Sequence, residues 1–113
     1  MANVIPFAFR GELFSGTHNF SSGGNAFKIA LYTANPYTTA STTYTTSSEV
    51  SSGGGSNYTA GGESLGSQAV ASSTAVASVD FADATWSSAT FTAAYAAIYN
   101  DTNSDKLCVV LDF

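Results

Sequence analysis

A chain of 113 residues with 3 basic and 8 acidic side chains, net charge −5, is the size of one ordinary domain. Its three scattered cations, Arg10, Lys28 and Lys106, cannot neutralise a run of phosphates, which argues against direct nucleic-acid binding and against an anionic membrane surface. Charged residues make up 10% of the chain, against ~25% in a usual soluble domain, while Ser and Thr number 31; this uncharged, hydroxyl-rich surface suits a protein packed against neighbours.

The first segment, NVIPFAF, alternates loosely but contains Pro6, which cannot donate to a central ladder. Residues 1–10 therefore read as an extended arm or an edge strand. RGELFSGTHNF has room for one helical turn around Glu12–Ser15, ended by Gly16. FKIALYT is the clearest strand of the first half, with Phe27, Ile29 and Leu31 on one face and Lys28, Ala30 and Tyr32 on the other. ANPY at 34–37 is a turn, and the Thr-rich stretch 38–49 is either an exposed strand or an ordered loop.

Residues 51–62, SSGGGSNYTAGG, have the composition of a flexible tether. A tether here would leave two halves too small to fold without disulfides or a metal, and a single cysteine, Cys108, excludes an internal disulfide. The stretch is therefore expected to be a Gly-rich internal loop of one domain spanning 1–113, with Tyr58 packed down between two bends. Residues 64–81 read as two short strands joined at Ser72–Thr74. TWSSATFTAAYAAIY is predicted as a strand with Phe91, Ala93, Tyr95, Ala97 and Tyr99 on one face. After a hairpin loop at 100–105, LCVVLDF forms another, with Leu107, Val109, Leu111 and Phe113 on one face. So apolar a strand is either central in its sheet or covered by a neighbouring subunit. Short strands separated by turn-rich segments define an all-β, single-domain antiparallel sandwich or barrel-like fold.

Residues that could carry chemistry are few. His18 lacks a sequence-adjacent base partner or nucleophile, and reads as a hydrogen-bonded loop or interface residue. Asp101, Asn103 and Asp105 alternate like the first ligands of a calcium loop, but Lys106 stands where the turn glycine belongs and no glutamate completes the set. Asp80 and Asp83 more often cap or solvate a turn than act as an acid–base pair. Cys108 reads as a small core hydrophobe. The glycines lack the Lys-Ser/Thr of a phosphate loop. The triplets at Asn19, Asn57 and Asn100 match a glycosylation pattern, but the first residues do not resemble a secretory signal, so synthesis in a cytoplasm is expected. No catalytic set, metal or cofactor is expected, and no small-molecule substrate. Tyr37, Tyr44 and Tyr58 lie in hydroxyl-rich segments and either stack on sugars or anchor a protein interface, the interface being favoured.

Three stretches, HNFSSGGNAFKIALYT, EVSSGGGSNYTAGGESL and VDFADATWSSATFTAAYAAIYNDTNSDKLCVVLDF, taken in this order, resemble a family of small bacteriophage virion structural proteins, most like capsid decoration or cement proteins. The resemblance implies a non-enzymatic protein on the outer capsid surface, made in the bacterial cytoplasm, that forms a homotrimer and clamps the major capsid protein through many weak contacts. It would suit the N-terminal arm to dock on a neighbour through Val4, Ile5, Phe7 and Phe9, with Arg10 at the rim. A tail, neck or fibre component, or a glycan- or host-binding β module, is the alternative.

Overall fold

Residues 3–113 are described in a computed structural model. The chain order is α1 (Phe7–Phe14), β1 (Phe27–Tyr32), β2 (Glu63–Leu65), β3 (Ala69–Ser73), β4 (Val76–Asp80), β5 (Tyr95–Asn100) and β6 (Lys106–Asp112). The expected all-β antiparallel fold forms as a four-stranded sheet in the order β2-β1-β5-β6 and a separate β3-β4 hairpin.

β1 behaves as its alternation dictates. Ala30 and Tyr32 join Ala97, Tyr99, Leu107 and Val110 on one face, beneath Tyr37 and Tyr44. Phe27, Ile29 and Leu31 face the other side, among Val50, Tyr58, Leu65 and Cys108. Both faces of the sheet are thus covered, although the covering segments contain little regular structure.

Alternation fails as a guide in β6. Ile98 pairs with Val109 and Tyr99 with Leu107, so Cys108 is the extra residue of a β-bulge. The inserted residue reverses the phase: Leu107 and Val110 share one face, rather than Leu107, Val109 and Leu111. The strand expected through 85–99 is also shorter. It begins at Tyr95, and Phe91 and Ala93 pack with Tyr58 on the opposite side from Tyr95, Ala97 and Tyr99. The hairpin turn falls at residues 74–75, between Ser73 and Val76.

The apolar β6 is an edge strand, but the chain covers part of that edge itself. Val4 exchanges two backbone hydrogen bonds with Val110, of 2.9 and 2.8 Å, and Leu107 donates to the Thr42 carbonyl. The proposed arm is therefore corrected. Asn3 and Val4 are bonded to β6, from Phe7 the chain is helical instead of extended, and residues 1 and 2 of the proposed arm lie outside the described residues. Proline was misleading here because Pro6 sits at the N-cap, where its missing N–H costs the helix nothing. The helix ends as Gly16 predicts. Gly16, at φ +74°, donates to Leu13 while Thr17 donates to Glu12, which is the Schellman pattern.

The 51–62 stretch is folded structure. Gly53, Gly54, Gly55, Gly61 and Gly62 all have positive φ, and Ser52 and Ser56 hydroxyls bond the backbone of Ala60, Ser51 and Tyr58. Gly62 is the tightest point, because a Cβ there would fall 1.9 Å from the Ile29 carbonyl oxygen. Gly62→Ala combines a left-handed backbone with a clash against β1. It should lower stability by about 3 kcal/mol, read as a shift of the urea midpoint; a midpoint equal to wild type would show that β1 and the loop are not in close contact.

Candidate functional site

Two polar clusters and one apolar groove hold the side chains with chemical potential. The first cluster centres on Glu49. Its carboxylate accepts hydrogen bonds from the Tyr44 hydroxyl, from the Tyr58 hydroxyl at 2.6 Å and from the Gly61 N–H at 2.8 Å. Tyr58 in turn accepts the Leu31 N–H at 3.0 Å, and Tyr99 donates to the Gly61 carbonyl at 2.6 Å. Alongside, the Tyr32 and Tyr37 hydroxyls bond one another; Tyr32 donates to the Thr45 carbonyl, and Tyr37 accepts the Thr45 N–H. Burial raises the pKa of all five phenols, with Glu49 adding in each case.

This cluster changes the reading of the three candidate interface tyrosines. Tyr37 and Tyr58 are buried, and the ring of Tyr44 is stacked on Tyr99 at 4.6 Å between centroids. Tyr37 and Tyr58 therefore offer no ring face to a sugar, and half-buried Tyr44 has one face occupied by Tyr99. Their sequence surroundings are polar, but the phenols bond Glu49 and the backbone and so turn inward. Packing of Tyr58 between the bends of the Gly-rich loop agrees with the sequence reading.

The second cluster assembles residues from three distant segments. Asn100 can only donate through Nδ2, which makes His18 Nδ1, at 3.0 Å, an acceptor. The neutral ring then carries its proton on Nε2, which donates to Glu12 Oε1 at 2.9 Å. The Cys108 thiol points at the same Nδ1 from 3.8 Å, and Lys106 Nζ lies 3.5 Å from Glu12 Oε2. A cysteine, a histidine and a glutamate in line resemble a nucleophile with its base and orienting acid. The electrostatics oppose that role: burial, reinforced by the negative charge of Glu12, pushes the Cys108 thiol up to about 12. His18 Nδ1 already accepts a hydrogen bond from Asn100 Nδ2, and Phe9 packs on the imidazole at 4.9 Å. The cluster ties α1 to β5 and β6. Sequence inspection found no partner for His18 or Cys108 because the contacts span 82 and 90 residues.

Of the calcium-like triplet, Asp101 and Asp105 lie side by side while Asn103 turns away. Asn103 turns inward to the Thr17 carbonyl and Asn25, and burial and the neighbouring Asp101 raise the pKa of Asp105. Among the described residues no group of three or more His, Cys, Asp or Glu side chains could hold a metal ion, and no helix is long and apolar enough to cross a membrane.

The groove lies beside α1 and has a volume of about 460 Å³. Phe9 and Leu13 form its helix side, Ala77 and Val79 its hairpin side, and Ile98 and Val109 its floor, where Cys108 also emerges. Outside its lining, Phe14 is 96% exposed, Phe7 61% and Val76 65%, and no residue of α1 is fully buried. Of the proposed arm residues, Val4 is committed to β6, Phe9 packs inward, and Ile5, Phe7 and Arg10 are exposed. Leu13 and Phe14 were missed because a one-turn helix gave no reason to group them with Phe7 and Phe9. Comparison with protein-family models, with curated proteins and with solved structures finds no match in any of the three.

Two outcomes follow from the clusters. Glu49→Gln exchanges an acceptor for a donor among groups that need acceptors, and should cost about 1–3 kcal/mol in chemical denaturation; an unchanged midpoint would remove the carboxylate from the loop's support. Cys108 binds its proton more tightly folded than unfolded. Its contribution to stability is therefore intact below the ordinary thiol value of 9.0 and declines as pH rises from there towards about 12. Stability measured from pH 7 to 11 should fall above pH ~9, by up to about 1.4 kcal/mol per unit from this thiol, and Cys108→Ala should flatten the first part of that decline.

Proposed function

We propose that the protein is a structural component of a bacteriophage particle, a capsid decoration or cement protein that self-assembles as a homotrimer and binds the major capsid protein on the outer lattice. It works by contact and has no catalytic role. The observation that carries this reading is the exposed apolar surface of α1. Phe7, Leu13 and Phe14 are exposed, and Leu13 also lines an apolar groove, in a chain with 10% charged residues. An isolated soluble chain gains nothing from such a surface, whereas an assembly protein buries it against neighbours. The resemblance of the three quoted stretches to phage virion proteins names the kind of assembly.

The mechanism is additive. Each exposed aromatic supplies a modest apolar contact, and many linked contacts across a lattice hold far more strongly than one. The Glu49 and His18 clusters keep the surface in shape, since they fasten the irregular covering segments and α1 to the sheet. The glycan-binding alternative loses support, because Tyr37 and Tyr58 are inside.

Gold-labelled antibody against the chain, applied to purified particles of the parent phage, should decorate the head at many copies. Label confined to the tail would move the protein to a tail, neck or fibre role, and particles without label would overturn the virion assignment. In the same particles, Phe7→Ser combined with Phe14→Ser should reduce occupancy at least tenfold while leaving the fold intact, both rings being exposed.

A further inference from the structure

Residues 7–16 run between two anchored points. Before them, the Pro6 side chain is fully buried and Val4 is paired with Val110. After them, the Thr17 carbonyl accepts a hydrogen bond from the Asn103 side chain, and the His18 side chain is enclosed. Between these anchors the chain is held lightly. No residue of α1 is buried, and only Ala8, Phe9 and Glu12 are half-buried. Phe9 packs on His18 and Phe20. Glu12 reaches the body of the domain through both carboxylate oxygens, one accepting from His18 Nε2 at 2.9 Å and the other 3.5 Å from Lys106 Nζ.

The helix has little stability of its own. Eight residues fall well short of the length at which an isolated helix persists in water. This one also carries Gly11 in its interior, no side-chain bond at its N-cap, no acid in its first turn and no base in its last. Gly16, at φ +74° with nothing within 4 Å of where a Cβ would stand, leaves a free pivot at its C-terminal end. Beneath α1, Cys108 is 2% exposed and meets the groove together with Ile98 and Val109, while Phe9 and Leu13 of the helix form one wall.

We propose that residues 7–16 are a strap that undocks and unravels as a unit while the sheet stays folded, with Glu12 as its latch, and that opening uncovers Cys108 and the apolar floor of the groove. The balance favours local over global opening. The bonds that fasten residues 33–62 centre on Glu49 and involve no residue of α1, so they survive when the strap lifts. The Val4–Val110 pair and the Asn103–Thr17 bond lie outside the strap and keep both of its ends tethered. Lifting it breaks the Glu12 contacts, the packing of Phe9 and the bond from the Phe7 N–H to the Thr39 carbonyl. Segments with so few buried contacts lie at the low end of the range of local opening energies. This inference goes beyond the function proposed above and does not depend on it.

The test uses Cys108 as a reporter: the purified full chain is labelled at pH 8 with an excess of an aromatic disulfide, across a series of low urea concentrations. Wild-type labelling should be at least roughly tenfold faster than global unfolding allows, and nearly independent of urea, because opening one short helix exposes little surface. Glu12→Ala removes the latch and should speed labelling roughly tenfold or more. Gly11→Ala, at a position with open space around it, strengthens the helix and should slow labelling about fivefold. Glu49→Gln should lower the urea midpoint yet leave low-urea labelling unchanged, since its contacts persist in the open form. In the same samples, hydrogen exchange at the Ser15 and Thr17 amides, which close the helix on Gly11 and Glu12, should outpace that of β5. Labelling that climbs with urea as steeply as global unfolding would overturn the proposal. So would a Glu49→Gln chain that labels as fast as Glu12→Ala, or wild-type rates in both α1 variants, which would mean that the reagent enters through the groove with the helix in place.

Discussion

The structure depends on one carboxylate. Glu49 receives two phenol hydroxyls and a backbone N–H from segments that contain no regular strand of their own. Residues 33–62 must cross and cover the sheet, yet Thr, Ser and Gly dominate them and supply little apolar area. Ordering so many residues costs conformational entropy that hydrophobic burial in this segment does not offset. Hydrogen bonds to an ionised acceptor are about twice as strong as neutral ones, and here they share one partly buried site. Tyr58 extends the connection to β1 through the Leu31 N–H, while Tyr99 reaches the same loop from β5. The long irregular segment thus becomes a fixed layer of the domain.

The same economy shapes the N-terminal region. Val4 pairs with Val110 and closes part of the β6 edge, after which Pro6 turns the chain into α1. The helix is held less by burial than by the His18 cluster, where Glu12 is the point of attachment. Because polar groups do the fastening, the apolar residues of α1 are left for other use. Phe9 packs against His18 and Phe20, whereas Phe14 projects almost completely into solvent. A helix secured through one glutamate leaves Phe7 and Phe14 in solvent, and the proposed function starts from that exposure.

Much of the sheet was legible in the sequence, and particular residues show why the rest was not. FKIALYT alternates cleanly, and β1 places its residues on the two faces as that pattern requires. LCVVLDF alternates just as cleanly, but Cys108 is an extra residue in the ladder, and a bulge leaves no mark in a hydrophobic pattern. Gly16 announced the helix end, while Pro6 concealed the start, since the same ring suits an edge strand and a helix N-terminus. Hydroxyl-rich surroundings made Tyr37 and Tyr58 look exposed. Their destination was set by Glu49 and by backbone groups that composition does not locate.

From its residues alone this chain is a charge-poor, single-domain β protein, with its strongest strands at 27–32 and near the C-terminal end and a Gly-rich loop within one fold. These properties follow from local quantities: period-two alternation, turn propensity, and the small size of the halves a tether would create. The tertiary structure alone decided which tyrosines face inward, that His18 meets Cys108 and Glu12, and that α1 and the β3-β4 hairpin frame an open groove. Each of these depends on bringing together residues tens of positions apart, where a single bulge or one shared carboxylate outweighs the local pattern.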